Sequence, residues 1–224
     1  MTKQTFTMSA HALRYLAEAS LAAIDKTEWA TPILLAAHFE VEKGRVRALA
    51  TDRYRVHEAF AETKKAAKPH ELLIHHSELS WVVTTMRQNR KAFGGHDPVA
   101  TVVTEFADEK AATVTITISG GDLALSRTAK TVAGNFPPVW KLLDQARAAE
   151  ISSEPKLLKL AFLNKARALS LDGAETPRLT FTKGTNPNKP GVVILDFENA
   201  GKVYATALIQ PNLDVFPRKP EVSE

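Results

Sequence analysis

The side chains that could carry chemistry are few. Seven histidines and no cysteine leave imidazole and carboxylate as the candidate metal ligands. His75 and His76 fall at the end of an expected strand, where adjacent side chains leave opposite faces, so they are not expected to share an ion. No His-x-x-x-His pair occurs, and neither a metal site nor a cofactor is expected. Asp52 is the best-placed carboxylate. It has no evident second carboxylate for acid–base work, and an Asp at a strand corner more often accepts backbone hydrogen bonds. Gly94-Gly95-His96-Asp97 reads as a turn. Neither it nor Gly120-Gly121 matches a phosphate loop or a dinucleotide fingerprint, and there is no Gly-x-Ser-x-Gly elbow. No enzyme is expected.

The remaining chemistry is positive charge. Arg87 and Lys91 lie four residues apart on an expected helix, and Lys156 and Lys159 share a face of another, which Arg167 joins if that helix runs far enough. A third helix offers His11, Arg14 and Tyr15, diluted by Glu18. Such faces commonly just keep a helix soluble. Repeated on several helices, they also attract phosphates through counterion release, without reading bases. With 29 Lys plus Arg against 25 Asp plus Glu, the formal charge of +4 permits a polyanionic partner.

These side chains must be positioned by a unit that occurs three times: a short strand, a helix, then two or three strands. The first runs from Thr5 to Met8 into a helix from about Ser9 to Asp25, with Leu13, Leu16, Ala17, Ser20, Leu21 and Ile24 on one face. Ser9 is its expected N-cap. Ile33, Leu35, Ala37, Phe39 and Val41 then alternate as a half-buried strand. Glu42-Lys43-Gly44 turns into Arg45 to Ala50, and past the Thr51-Asp52 corner a strand runs from about Tyr54 to Ala61.

The second unit places Leu72-Leu73-Ile74 before a helix from Ser77 to about Lys91, with Leu79, Val82, Val83 and Met86 as the buried stripe. Val114, Ile116 and Ile118 alternate with threonines, and Gly120-Gly121 bends that strand into Leu123 and Leu125. The third unit is compressed. It has a short amphipathic piece after Phe136-Pro137-Pro138, a strand near Ile151, and a helix from about Pro155. Strands follow at Leu179–Phe181, Val192–Phe197 and Val203–Ile209, with Thr185 to Pro190 as a loop. Helices over one face of antiparallel strands make an α+β architecture. Residues 215–224 read as a loose tail.

Composition bounds the setting. A chain of 224 residues with 44% hydrophobic and 24% charged residues is ordinary globular material. No apolar run approaches the roughly 20 residues of a membrane helix, and Met1 to Met8 lacks a signal-peptide core. A soluble, cytoplasmic protein without a membrane partner is expected.

Three stretches carry a resemblance: Ala50-Thr51-Asp52-Arg53-Tyr54-Arg55-Val56, Gly134-Asn135-Phe136-Pro137, and Tyr204 through Ile209-Gln210-Pro211. Their order and spacing resemble the β sliding clamp of bacterial DNA polymerase III, over most of residues 5–214, matching its middle domain and the latter half of its last. The resemblance implies a DNA-clamp fold, with a complete clamp-type domain at 1–133 and a shortened one at 134–214. It also implies a processivity factor that surrounds double-stranded DNA without sequence preference, in a bacterial or phage-infected cell. Arg14, Arg87, Lys91, Lys156, Lys159 and Arg167 would face the DNA. A groove for short peptides of a DNA polymerase and a clamp loader would be walled by Leu34, Thr51, Arg53, Tyr54, Arg55, Val56, Pro137, Lys141, Leu142, Leu208 and Gln210.

Leu34 supports that groove independently, since the expected strand turns it away from Ile33 and Leu35. Two positions depart from the family pattern: Arg53 stands at its corner glycine and Gln210 at its methionine. Three units cannot surround a duplex, so a homo-oligomeric ring follows, of two, three or four chains. The alternative is a clamp-fold DNA-binding or partner-binding regulator that does not close.

Overall fold

The structure, a computed structural model, describes residues 2–24, 26–27, 30–66, 68–93, 97–107, 110–154, 156–173, 175–184 and 191–211. The expectations placed on Gly94-Gly95-His96, Pro155, Thr185 to Pro190 and the tail from 215 lie outside the described residues.

β1 (Thr2–Ser9) runs directly into α1 (Ala10–Leu21), and the Ser9 hydroxyl caps that helix by accepting from His11 N at 3.2 Å. Leu13, Leu16, Ala17 and Ser20 are buried along the expected stripe. The chain then forms a meander of β2 (Ala36–Glu42), β3 (Arg45–Thr51) and β4 (Arg55–Glu62). Gly44, at φ 82°, makes its first turn in a conformation that a Cβ would strain. After a short β5 (Lys65–Ala66) the pattern recurs. β6 (His70–His75) leads to α2 (His76–Gln88), then to a meander of β7 (Val99–Ala107), β8 (Lys110–Gly120) and β9 (Leu123–Lys130).

The two lone strands are exchanged. β1 pairs antiparallel with β7, placing Met8 opposite Ala100, and β6 pairs antiparallel with β2, placing Ile74 opposite Ala37. Each unit thus completes the other's sheet, so neither can satisfy its backbone alone.

The third unit comprises α3 (Val139–Ala148), α4 (Leu160–Ala166) with a 3-10 turn over Arg167–Leu169, and β10 (Arg178–Phe181), β11 (Val193–Asn199) and β12 (Lys202–Ile209). β12 pairs with β4, setting Leu208 against Val56 and Thr206 against Glu58. One sheet is therefore β5-β1-β7-β8-β9 and the other β10-β11-β12-β4-β3-β2-β6, continuous across residue 134.

One core joins Leu13 and Leu16 of α1, Leu79 and Val82 of α2 and Leu169 after α4 to both sheets. Ala48, Ala50, Ala59, Ala205 and Ala207 belong to it, and side chains that small let the helices approach closely. A second core lies on the opposite face of the seven-stranded sheet, where Phe136, Val139, Leu143 and Ala146 cover Ala36, Leu49, Val56, Leu73, Ile194 and Leu208.

That second core corrects the reading of β2. Its strand begins only at Ala36, and both faces are largely buried, because α3 and the connector before it lie over the side expected to be exposed. Ile33, Leu34 and Leu35 belong instead to a 3-10 turn over Pro32–Leu35, begun by Pro32. His75 and His76 are also corrected. His75 caps α2, its Nδ1 accepting from Ser77 N at 3.3 Å, and the two rings lie 4.2 Å apart because the chain has already turned into helix.

Candidate functional site

The corner between β3 and β4 is built by short polar side chains that close on their own backbone. Asp52 Oδ1 accepts from Tyr54 N and Arg55 N, both at 3.1 Å, while its Oδ2 meets Arg55 Nη2 at 2.8 Å. This is the role expected of Asp52. Thr51 Oγ1 donates to Arg55 O at 2.7 Å and accepts from Arg53 N at 3.1 Å. The corner forces Arg53 to φ 77°, a left-handed conformation that costs an L-residue about 1–2 kcal/mol. Gln210 N then donates to Tyr54 O at 2.8 Å, tying the end of β12 to the corner.

Around it lies a groove of about 780 Å³. Val56 and Leu208, paired across β4 and β12, form its floor, Ile33 and Leu34 of the 3-10 turn one wall, and Val139, Leu142 and Ala146 of α3 another. Of the expected groove residues, Leu34, Thr51, Arg53, Tyr54, Arg55, Val56, Pro137, Leu142, Leu208 and Gln210 all line it. Leu34 does so while buried. Its neighbours Ile33 and Leu35 do not alternate with it as in a strand. Lys141 does not line the groove: successive residues of a helix diverge by about 100°, and Leu142 takes the groove side of α3. Thr31, Gln145, Thr182, Lys183 and Val192 line the groove and were missed, because tertiary packing alone brings them there.

The basic residues are dispersed. Arg14 Nε and Arg87 Nη2 both meet Glu18 Oε1, at 3.1 and 2.9 Å, so α1 and α2 share one carboxylate between two guanidinium groups. Lys91 does not share a helical face with Arg87. Helix α2 stops at Gln88, where Asn89 returns both its backbone N and its side-chain Nδ2 to Thr85 O. Lys91 and Arg90 are exposed in the turn that follows, and Arg90 lines a cleft with His11 and Arg14.

Lys156 and Lys159 likewise share no helical face, since α4 begins at Leu160 and has no side-chain cap. Ser152, upstream, spends its hydroxyl on a turn to Glu154 N at 3.1 Å. Lys159 lies instead against the corner, its ammonium 6.0 Å from the Tyr54 ring centroid and 5.8 Å from that of Phe162. Arg167 is exposed in the 3-10 turn beyond α4.

This arrangement recurs in solved structures. The DNA polymerase III beta subunit of Thermotoga maritima superposes with a TM-score of 0.62 at 12% identity, over 93% of this chain and 65% of that one. The fold is that of a sliding clamp. The Bacillus subtilis sliding clamp gives 0.61 at 12% identity, covering 93% and 64%, and the Pseudomonas aeruginosa clamp bound to griselimycin gives 0.61 at 13%, covering 93% and 65%. This clamp-fold chain therefore spans just under two thirds of the length of those clamps. No family model and no curated protein sequence matches it. Among the described residues, no helix is long and apolar enough to cross a membrane.

Proposed function

We propose that this chain is a sliding clamp, a non-catalytic processivity factor that surrounds duplex DNA and holds a polymerase through its groove. The observation that carries the reading is the groove itself: ten residues picked for a peptide site line one concave surface of a clamp fold. Residues 1–133 would form a complete clamp-type unit and 134–214 a shortened one. A concave apolar site rimmed by cations suits peptides with hydrophobic anchors, such as those of a polymerase or a clamp loader.

Self-association has its own support. Among the described residues seven large hydrophobics are exposed. Tyr54 and Leu142 line the groove, whereas Ile151, Leu157, Leu160, Leu171 and Leu179 all fall in the shortened unit. Exposed apolar side chains in this number suit a surface that another chain covers. β9 ends its sheet with an edge open to another chain, whereas the outer edge of β10 is bonded near its end, where Ser152 N donates to Phe181 O at 2.7 Å.

Leu142 is half exposed, so Leu142→Glu should leave the fold intact and weaken an apolar peptide by about tenfold or more, as truncation at a binding hot spot does. Fluorescence anisotropy measures this, and unchanged affinity would place the partner site elsewhere. For DNA, Arg90→Glu combined with Lys91→Glu should weaken binding. It should also flatten the dependence of log K on log salt by about 0.9 for each phosphate no longer neutralised. An unaltered salt slope would remove the α1–α2 face from the DNA surface.

A further inference from the structure

Three cations line the groove, Arg53, Arg55 and Lys183, and among the described residues no acidic side chain does. Two of the three are already matched. Lys183 is paired with Glu150, and Arg55 Nη2 with Asp52 Oδ2 at 2.8 Å. Arg53 has only a hydroxyl: its Nη2 reaches across the groove mouth to Thr31 Oγ1 at 3.1 Å, and among the described residues no carboxylate pairs with it.

Its backbone makes the observation sharper. Arg53 holds a positive φ of 77° while its side chain stays exposed, so the strained conformation is not repaid by burial. Beside it, Arg55 is 3% exposed, and its Nε and Nη1 have no hydrogen-bonding partner. The Phe162 ring covers the guanidinium at 4.9 Å. Arg55 pairs with Ile209 on the face of β4 opposite Val56 and Leu208, so its guanidinium is turned away from the groove floor and Arg53 alone presents an unmatched cation to the groove.

We infer that the groove selects its ligand by a carboxylate seated on Arg53, while Val56, Leu142 and Leu208 take the apolar anchors. This rests on the peptide-groove reading above. The carboxylate displaces the Thr31 hydroxyl from Arg53 Nη2. An ion pair replaces a hydrogen bond to an uncharged hydroxyl, and Arg53 sets specificity without touching the apolar floor. Two peptide groups carry this chemistry, an Asp or Glu side chain and a free chain terminus.

The test uses the full chain and three fluorescent six-residue peptides, each with two leucines and a phenylalanine among neutral polar residues. One is capped at both ends, one is capped and carries a single aspartate, and one has a free carboxyl terminus. Their affinities are measured for the wild type and for Arg53→Gly, Arg53→Gln and Arg53→Lys. In the wild type at least one acidic peptide should bind roughly tenfold tighter than the neutral one, the effect of one charge-assisted hydrogen bond. Which one gains identifies the source of the carboxylate.

Arg53→Gly and Arg53→Gln should both erase that advantage, bringing the acidic and neutral peptides to one affinity. Arg53→Lys should keep part of it. Because Gly relaxes the strained backbone and Gln does not, equal loss in both assigns the effect to charge. Equal binding of all three peptides by the wild type, or a preference that survives Arg53→Gly, overturns the inference and leaves the groove reading standing. Absence of binding by any of the three removes the groove reading and this inference with it.

Discussion

Glu58→Gln should destabilise the protein by about 3 kcal/mol, enough to lower the melting temperature of a chain this size by roughly 6–12 °C. Glu58 is 1% exposed on β4, facing α3 rather than α1. A carboxylate buried that deeply is tolerated only when its oxygens are bonded, and here both are. Arg47 Nε donates to Oε1 at 2.8 Å, and Arg147 Nη2, from the last turn of α3, donates to Oε2 at 2.5 Å. Burial alone would lower the pKa of the Arg47 guanidinium. Glu58 and Glu40 outweigh it and leave the pKa raised.

The network continues beyond Glu58. Arg147 also donates to Thr206 Oγ1 at 3.1 Å, Thr206 Oγ1 donates to Asp196 Oδ1 at 2.8 Å, and Arg178 meets Asp196 and Glu198. One chain of polar contacts thus fastens α3 and β10–β12 to β3 and β4, the elements that form the groove walls. The glutamine variant keeps the shape, loses the charge, and strands two arginines. The effect stays near the lower end for a buried pair because Arg47 retains Glu40 at 3.1 Å and Arg147 is part-exposed. Urea unfolding of wild type and variant measures it, and a loss below about 1 kcal/mol would show that the cluster is merely a solvated surface network.

Acid should also weaken the fold, and His57 names the window. Burial pushes its pKa down to about 4, and the nearby charges of Arg55 and Lys165 press the same way, while the bond to the Ala19 carbonyl opposes them. Its Nδ1 donates to Ala19 O at 2.9 Å, so the neutral ring joins β4 to α1. The unfolded chain takes up a proton near pH 6.5, which the folded one refuses until about pH 4. Stability from this residue is therefore complete above pH 6.5 and is lost as pH falls towards 4. The loss amounts to about 3 kcal/mol, from the shift at 1.36 kcal/mol per pH unit. His57→Gln should flatten that slope. Equal losses between pH 7 and 4.5 in wild type and variant would mean that His57 is not the group responsible.

The local parts of this molecule were legible in its sequence. α1 and α2 follow from apolar spacing, the β8–β9 hairpin from alternation ending in Gly120-Gly121, and the corner from Thr51 and Asp52, whose side chains bond within four residues. What was not legible is set at long range. Nothing in β1 names β7 as its partner, because register is decided by a shared core and not by the strand's own residues.

The second core hid β2 in the same way, since His38 on a face expected to be open is covered by Phe136 and Trp140. Lys156 and Lys159 were misplaced because periodicity gives a helix's face but not its start, and no cap marks the start of α4. Lys141 failed for a simpler reason. Carrying a groove over by position ignores which way each helical residue turns.

Surrounding a duplex requires a closed ring made of several copies of this chain. Light scattering after size-exclusion chromatography, at micromolar concentration and physiological salt, is the decisive experiment. The particle mass should be a small integer multiple of 24.5 kDa, of two to four chains, and should hold constant across a tenfold dilution. A single species of 24.5 kDa at every concentration would contradict the ring.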